Sequence, residues 1–133
     1  MSGGFEVGAS APLRALHRMP WLPPPESDLH AHDYRVEVVV ERANLDEHGM
    51  VCDLDLVEAA LRDAVGALEG TDLDETVKPP GAEAVTVEIL AGWFHSRLAE
   101  AIRSAGGEAL AVRVWESASA FGGYRAPVAT SSE

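Results

Sequence analysis

The chain has 133 residues, enough for one compact domain with one core and too few for a multidomain enzyme. Its 22 acidic and 10 basic residues give a formal charge of −12, the wrong sign for neutralising nucleic-acid phosphates or binding an anionic membrane. The single cysteine, Cys52, excludes an internal disulfide and a cysteine-rich zinc site, fits a reducing cytoplasm, and moves any metal expectation onto the five histidines.

Residues 1–12, rich in Gly, Ala and Ser, predict a flexible arm holding at most a short strand through Phe5 and Val7. A single folded domain is expected over 13–128 and a frayed tail over 129–133. The opening residues have neither a basic nor an apolar signal-peptide region and no 18-residue apolar run follows, so a cytoplasmic protein with no membrane span is expected. Leu13, Ala15 and His17 share a parity before Pro20 and Pro23-Pro24-Pro25, which force a loop. From His30 to Glu41 a strand is predicted. Its even positions, His30, His32, Tyr34, Val36, Val38 and Val40, share the more apolar face.

Asn44 to Gly49 reads as a turn and Met50 to Cys52 as a short returning strand. A helix follows, capped by Asp53 or Asp55, with Leu54, Val57, Leu61, Ala64, Val65 and Leu68 at helical spacing and an end near Glu69-Gly70. Thr71 to Ala84 reads as a loop. Thr86 caps a second helix whose stripe is Ile89, Leu90, Trp93, Phe94, Leu98 and Ile102, ended by Gly106-Gly107. Leu110 to Glu116 is a strand, and Phe121 to Pro127 a last one after the turn at Ser117 to Ala120. This order predicts an α+β domain: a four-stranded antiparallel sheet with two helices on one face. The uncovered face predicts a homo-oligomer.

His30 and His32, one residue apart on a strand, project from one face and can converge on one ion. His17 on the preceding strand can reach the same point, because antiparallel neighbours lie about 4.8 Å apart. Three imidazoles with no fourth protein ligand describe an open, catalytic type of zinc site. Glu116 ends an apolar row and needs either a cation such as Arg113 or Arg125, or a ligand with two parallel N–H donors. The 2-amino-4-oxo-pyrimidine edge of a pterin or guanine offers such donors. Glu88, at a helix start, is also favoured there by the helix dipole.

Five segments in order, Ala15-Leu16-His17-Arg18-Met19-Pro20, Leu29-His30-Ala31-His32-Asp33-Tyr34, Gly49-Met50-Val51-Cys52-Asp53, Thr86-Val87-Glu88 and Trp115-Glu116, resemble the signatures of the 6-pyruvoyl tetrahydropterin synthase and 6-carboxy-tetrahydropterin synthase (QueD) family. The resemblance runs from about Leu13 to Tyr124. It implies the tunnelling fold (T-fold), an oligomeric β-barrel built by a trimer or a hexamer, with substrate sites between subunits. It further implies zinc on His17, His30 and His32 and a pterin-like ligand anchored by Glu116 with Glu88 and Thr86. Two departures stand out. Glu26 occupies the position of the family's catalytic cysteine, and Leu68-Glu69-Gly70 replaces Leu-Asp-His, leaving Glu69 as the carboxylate of that loop. Cys52 is misplaced for the cysteine's role and reads as a buried structural thiol. A glutamate at the cysteine position resembles a branch that cleaves the side chain of 7,8-dihydroneopterin triphosphate, which makes Glu26 the candidate base of a zinc-dependent lyase. The alternative is a homologue that keeps zinc and pterin binding but has lost the synthase activity.

Overall fold

A computed structural model describes residues 3–128, so the expected tail at 129–133 and the first two residues of the arm lie outside the described residues. The elements are β1 (Phe5–His17), β2 (His30–Arg42), α1 (Leu54–Leu68), α2 (Leu73–Thr76), α3 (Val87–Ser104), β3 (Ala109–Trp115) and β4 (Phe121–Pro127). The four strands form one antiparallel sheet in the order β1-β2-β3-β4, with α1 packed on β1 and α3 on β3 and β4.

The parity read from β2 holds. Tyr34, Val36, Val38 and Val40 are buried, the three valines completely, while Ala31, Asp33 and Arg35 are exposed. Each such valine contributes roughly 1.5–3 kcal/mol by leaving water. The buried face meets the apolar stripes of α1 (Val57, Leu61, Ala64, Leu68) and α3 (Leu90, Phe94, Leu98, Ile102), forming one core. Asp53 caps α1 by accepting from the Asp55 amide, and Thr86 caps α3 by accepting from the Ile89 amide at 3.2 Å, each satisfying a donor the helix leaves open.

Three expectations are corrected. Residues 5–12 belong to the sheet: β1 starts at Phe5, pairs with Arg42, and stays in register to His17 opposite His30. The low strand preference of Gly8, Ala9, Ser10 and Ala11 is overridden by the long partner strand β2. Met50 to Cys52 form no strand; Val51 and Cys52 are consecutive and both buried, which a half-buried strand forbids. The Asp46 side chain instead closes this segment by accepting from the His48 and Met50 amides. Within the expected loop, α2 forms a single turn anchored by the fully buried Leu73 and capped by Asp72. Residues just before it run along the outer edge of β1, with Gly70 N–H donating to the Arg14 carbonyl and Leu16 N–H to the Thr71 carbonyl, both at 2.8 Å. That contact covers part of an otherwise open strand edge.

Candidate functional site

The β1–β2 register builds the site. His17 ends β1 directly opposite His30, which starts β2, and His32 lies opposite Ala15, so all three imidazoles leave one face at one end of the ribbon. Their ring centroids are 4.5 Å (His17–His30), 5.0 Å (His17–His32) and 6.5 Å (His30–His32) apart. Imidazoles held at about 2.0–2.1 Å on one tetrahedral ion have centroids about 5 Å apart, so this grouping has the right scale. Among the described residues, however, no three His, Cys, Asp or Glu side chains already surround a common point suited to a metal.

The hydrogen bonds show which nitrogens are available. His30 Nδ1 lies 2.8 Å from the Asp28 carbonyl oxygen, which can only accept, so Nδ1 is the donor and Nε2 is the nitrogen left for an ion. His17 Nδ1 lies 3.1 Å from the Tyr34 hydroxyl, and both residues are buried. The buried Nε2 of His17 and Nδ1 of His32 have no partner. Such orphaned groups each cost about 1–3 kcal/mol unless something outside the chain meets them. Burial, and secondly the neighbouring His30 and His32, push His17 down to about 4, so it is neutral at pH 7 as a metal ligand must be. The donor set therefore fits the zinc that the resemblance implies.

The same cavity, about 490 Å³, is also lined by Glu26 and Glu116. Glu26 is brought there by closure of the Pro-rich loop: Met19 N–H donates to the Glu26 carbonyl at 2.7 Å, and Glu26 N–H to the Pro23 carbonyl at 3.2 Å. Glu116 follows the end of β3 and is held by its amide bonding to the Ala120 carbonyl at 3.0 Å. Neither carboxylate has an ion pair among the described residues. The cations that the sequence offers Glu116 are engaged elsewhere, Arg113 with Glu37 and Arg125 with Glu41. Burial, and secondly the charge of Glu116, push the Tyr34 phenol above its usual range, so it remains a neutral hydroxyl.

Glu69 is not brought in. Its carboxylate accepts from the Arg14 amide at 3.3 Å, on the outer edge of β1, and it does not line the cavity. Thr86 and Glu88 stand at the start of α3 beside β4, also outside that lining. The chain comes close there because Gly122 has no side chain: a Cβ would sit 2.5 Å from Val87 Cγ2 and 3.3 Å from the Glu88 carboxyl carbon. Cys52 is buried, and burial raises its thiol, so it is unreactive. Tyr34 is the site residue that motif reading passes over. Its even-numbered place in β2, two positions after His32, was the available signal.

A sequence model described as 6-pyruvoyl tetrahydropterin synthase matches residues 6–127. No curated protein matches the chain. Among solved structures, the 6-pyruvoyl tetrahydropterin synthase of Plasmodium vivax superimposes with a TM-score of 0.72 at 14% identity, covering 95% of this chain and 99% of that one. That of Caenorhabditis elegans gives 0.66 at 18% identity, covering 94% and 97%. A variant of the Plasmodium vivax enzyme, in which a catalytic glutamate is replaced by cysteine, gives 0.73 at 13%, covering 95% and 99%. At these identities the likeness establishes the T-fold.

Proposed function

The chain belongs to the 6-pyruvoyl tetrahydropterin synthase family, and from that premise we propose that it is a zinc-dependent, pterin-binding lyase acting on 7,8-dihydroneopterin or its triphosphate. The observation that carries this reading is that Glu26, the three histidines and Glu116 line one cavity, with neither carboxylate in an ion pair among the described residues. Use of a catalytic glutamate by the Plasmodium vivax enzyme supports Glu26 in the role of base.

Glu116 accepts the two parallel N–H groups of the pterin's 2-amino-4-oxo edge, a bidentate charge-assisted contact. Thr86 and Glu88 complete this anchor from a neighbouring subunit of a homo-oligomer. Zinc on His17, His30 and His32 supplies Lewis-acid polarisation of the side-chain hydroxyls. Glu26 takes the proton of the 2′-hydroxyl; the C1′–C2′ bond breaks, C2′ leaves as an aldehyde, and the electron pair passes into the C6–N5 imine. Reprotonation at C1′ gives 6-hydroxymethyl-7,8-dihydropterin, with no net oxidation. A second reading, a homologue that binds but does not turn over, draws on the replacement of both the family's cysteine and its Asp-His pair, by Glu26 and by Glu69-Gly70.

Incubation of zinc-loaded protein with each pterin under anaerobic conditions, followed by chromatography, tests both. The lyase gives the hydroxymethyl pterin, and Glu26→Gln lowers turnover roughly 10²–10⁴-fold with pterin binding retained. No new pterin from either compound removes the lyase and leaves the binding protein. Unchanged turnover in Glu26→Gln removes the assigned base.

A further inference from the structure

His17 closes β1, and contacts on both sides hold that end of the strand. On one side it pairs with His30. On the other, the chain leaving α1 runs beside β1: Gly70 N–H donates to the Arg14 carbonyl, Leu16 N–H donates to the Thr71 carbonyl, and Leu16 bridges to Asp72. One step further along both segments the contact passes to side chains, Arg18 with Asp74 of α2. Resting on the reading that His17, His30 and His32 hold zinc, we infer that Asp74 is a positioning residue for that centre. It acts through Arg18, the residue next to His17, and fixes where the first ligand stands.

Asp74 sits on a firm base. Leu73 before it is fully buried in the core, and Asp72 caps the turn by accepting from the Asp74 amide at 2.9 Å. Thr71 Oγ1 adds a bond to the Leu68 carbonyl at 2.8 Å. Arg18 Nε lies 3.7 Å from Asp74 Oδ2, within reach of an ion pair and too far for a hydrogen bond. Arg18 Nε and Asp74 Oδ1 are both buried, and among the described residues neither has a hydrogen-bond partner. A donor and an acceptor of one ion pair are thus each left with a bond unmade. The guanidinium fork is the shape that closes on a carboxylate through two bonds, and a shift of roughly 1 Å would close it.

Two consequences reach His17. The pair ties the residue after it to a turn anchored in the core, which limits how far the end of β1 can swing. It also sets a carboxylate against a cation that would otherwise stand uncompensated one residue from a site for a doubly charged ion.

Zinc affinity of the full-length protein, measured by competition with a chromophoric chelator, tests the inference in a double-mutant cycle. Asp74→Ala should weaken zinc binding about three- to tenfold, less than the roughly 10–100-fold for groups bonded directly to a ligand. The visible spectrum of the cobalt-substituted protein should change with it. In an Arg18→Gln background the same substitution should leave zinc affinity unchanged, because Asp74 then has nothing to act through. Asp74→Asn, which keeps the side chain's shape and removes its charge, serves in place of an Asp74→Ala protein that does not fold. A lower melting temperature with unchanged zinc affinity and cobalt spectrum makes the pair a stability contact and overturns the inference. A loss of equal size with Arg18 present or replaced also overturns it and leaves the metal site standing. An unaltered protein that binds no zinc overturns the metal reading and the inference together.

Discussion

Two cavities of nearly equal volume open at opposite ends of the β1–β2 ribbon, about 490 Å³ beside His17 and His30 and about 480 Å³ beside Phe5 and Arg42. At the Phe5 end most of the polar groups satisfy one another, the exposed Glu6 carboxylate being the exception among the described residues. Arg125 grips Glu41 through two hydrogen bonds, Glu108 accepts from the Ala43 amide at 2.9 Å, and Arg42 donates to the Val51 carbonyl. At the histidine end, among the described residues, the buried His17 Nε2 and His32 Nδ1 are orphaned and the exposed Glu26 and Glu116 are in no ion pair. Volume does not separate the two cavities; buried nitrogens without a partner among the described residues do. The two buried nitrogens cost stability, whereas the exposed Glu26 and Glu116 carboxylates are solvated and cost none, and a protein that retains such buried groups gains by what they bind.

That contrast fails if substitutions at the two ends act alike. The largest effect is expected for His30→Ala, where zinc affinity measured against a chromophoric chelator should fall by more than the roughly 100-fold upper range for second-shell changes. Folding should be retained, because His30 is only half-buried. Unchanged affinity would remove the metal site. Next is Tyr34→Phe, which deletes the hydroxyl at His17 Nδ1 and should weaken zinc binding about 10–100-fold. Cobalt substituted for zinc should show an altered visible spectrum; an unaltered affinity and spectrum would make Tyr34 packing alone.

The smallest effect lies at the other end. Arg125 holds the Glu41 carboxyl below its usual range, so the pair adds stability above the unfolded carboxylate pKa and loses it as pH falls through the folded one. Glu41→Gln should cost about 0.2–1 kcal/mol in urea titrations at pH 7, because the pair is surface-exposed. The difference should begin to shrink as pH falls through the ordinary carboxylate range and vanish only once Glu41 is protonated in the folded protein, and zinc affinity should not change. A loss of zinc affinity would couple the two ends and blur the distinction.

Much of this was legible in the sequence because it is periodic. The even face of β2 placed His30 and His32 beside buried valines, and the Thr86 cap fixed the start of α3. What escaped depends on contacts between distant segments. Gly8 to Ala11 become strand only because Val36 to Val39 offer partners. Glu26 reaches the cavity through a loop closed by Met19, which no local pattern specifies. Glu69 fell outside because its carboxylate is taken by the Arg14 amide. The availability of Glu116 could not be read either, since it depends on Arg113 and Arg125 choosing other acids.

The register has one more consequence, in time rather than in space. β3 pairs with β2 only from Arg35 to Glu41, so His30 to Tyr34 rest on β1 alone and project past the four-stranded sheet. Such a tip, braced along the outer edge of β1 only by the short contact of residues 70–72, opens at lower free energy than the sheet it extends. An ion shared by His17 on one strand and His30 and His32 on the other would act as a clasp at that tip. Loading the site would then slow amide hydrogen exchange there, while the valine-rich centre of the sheet kept the rate it already had.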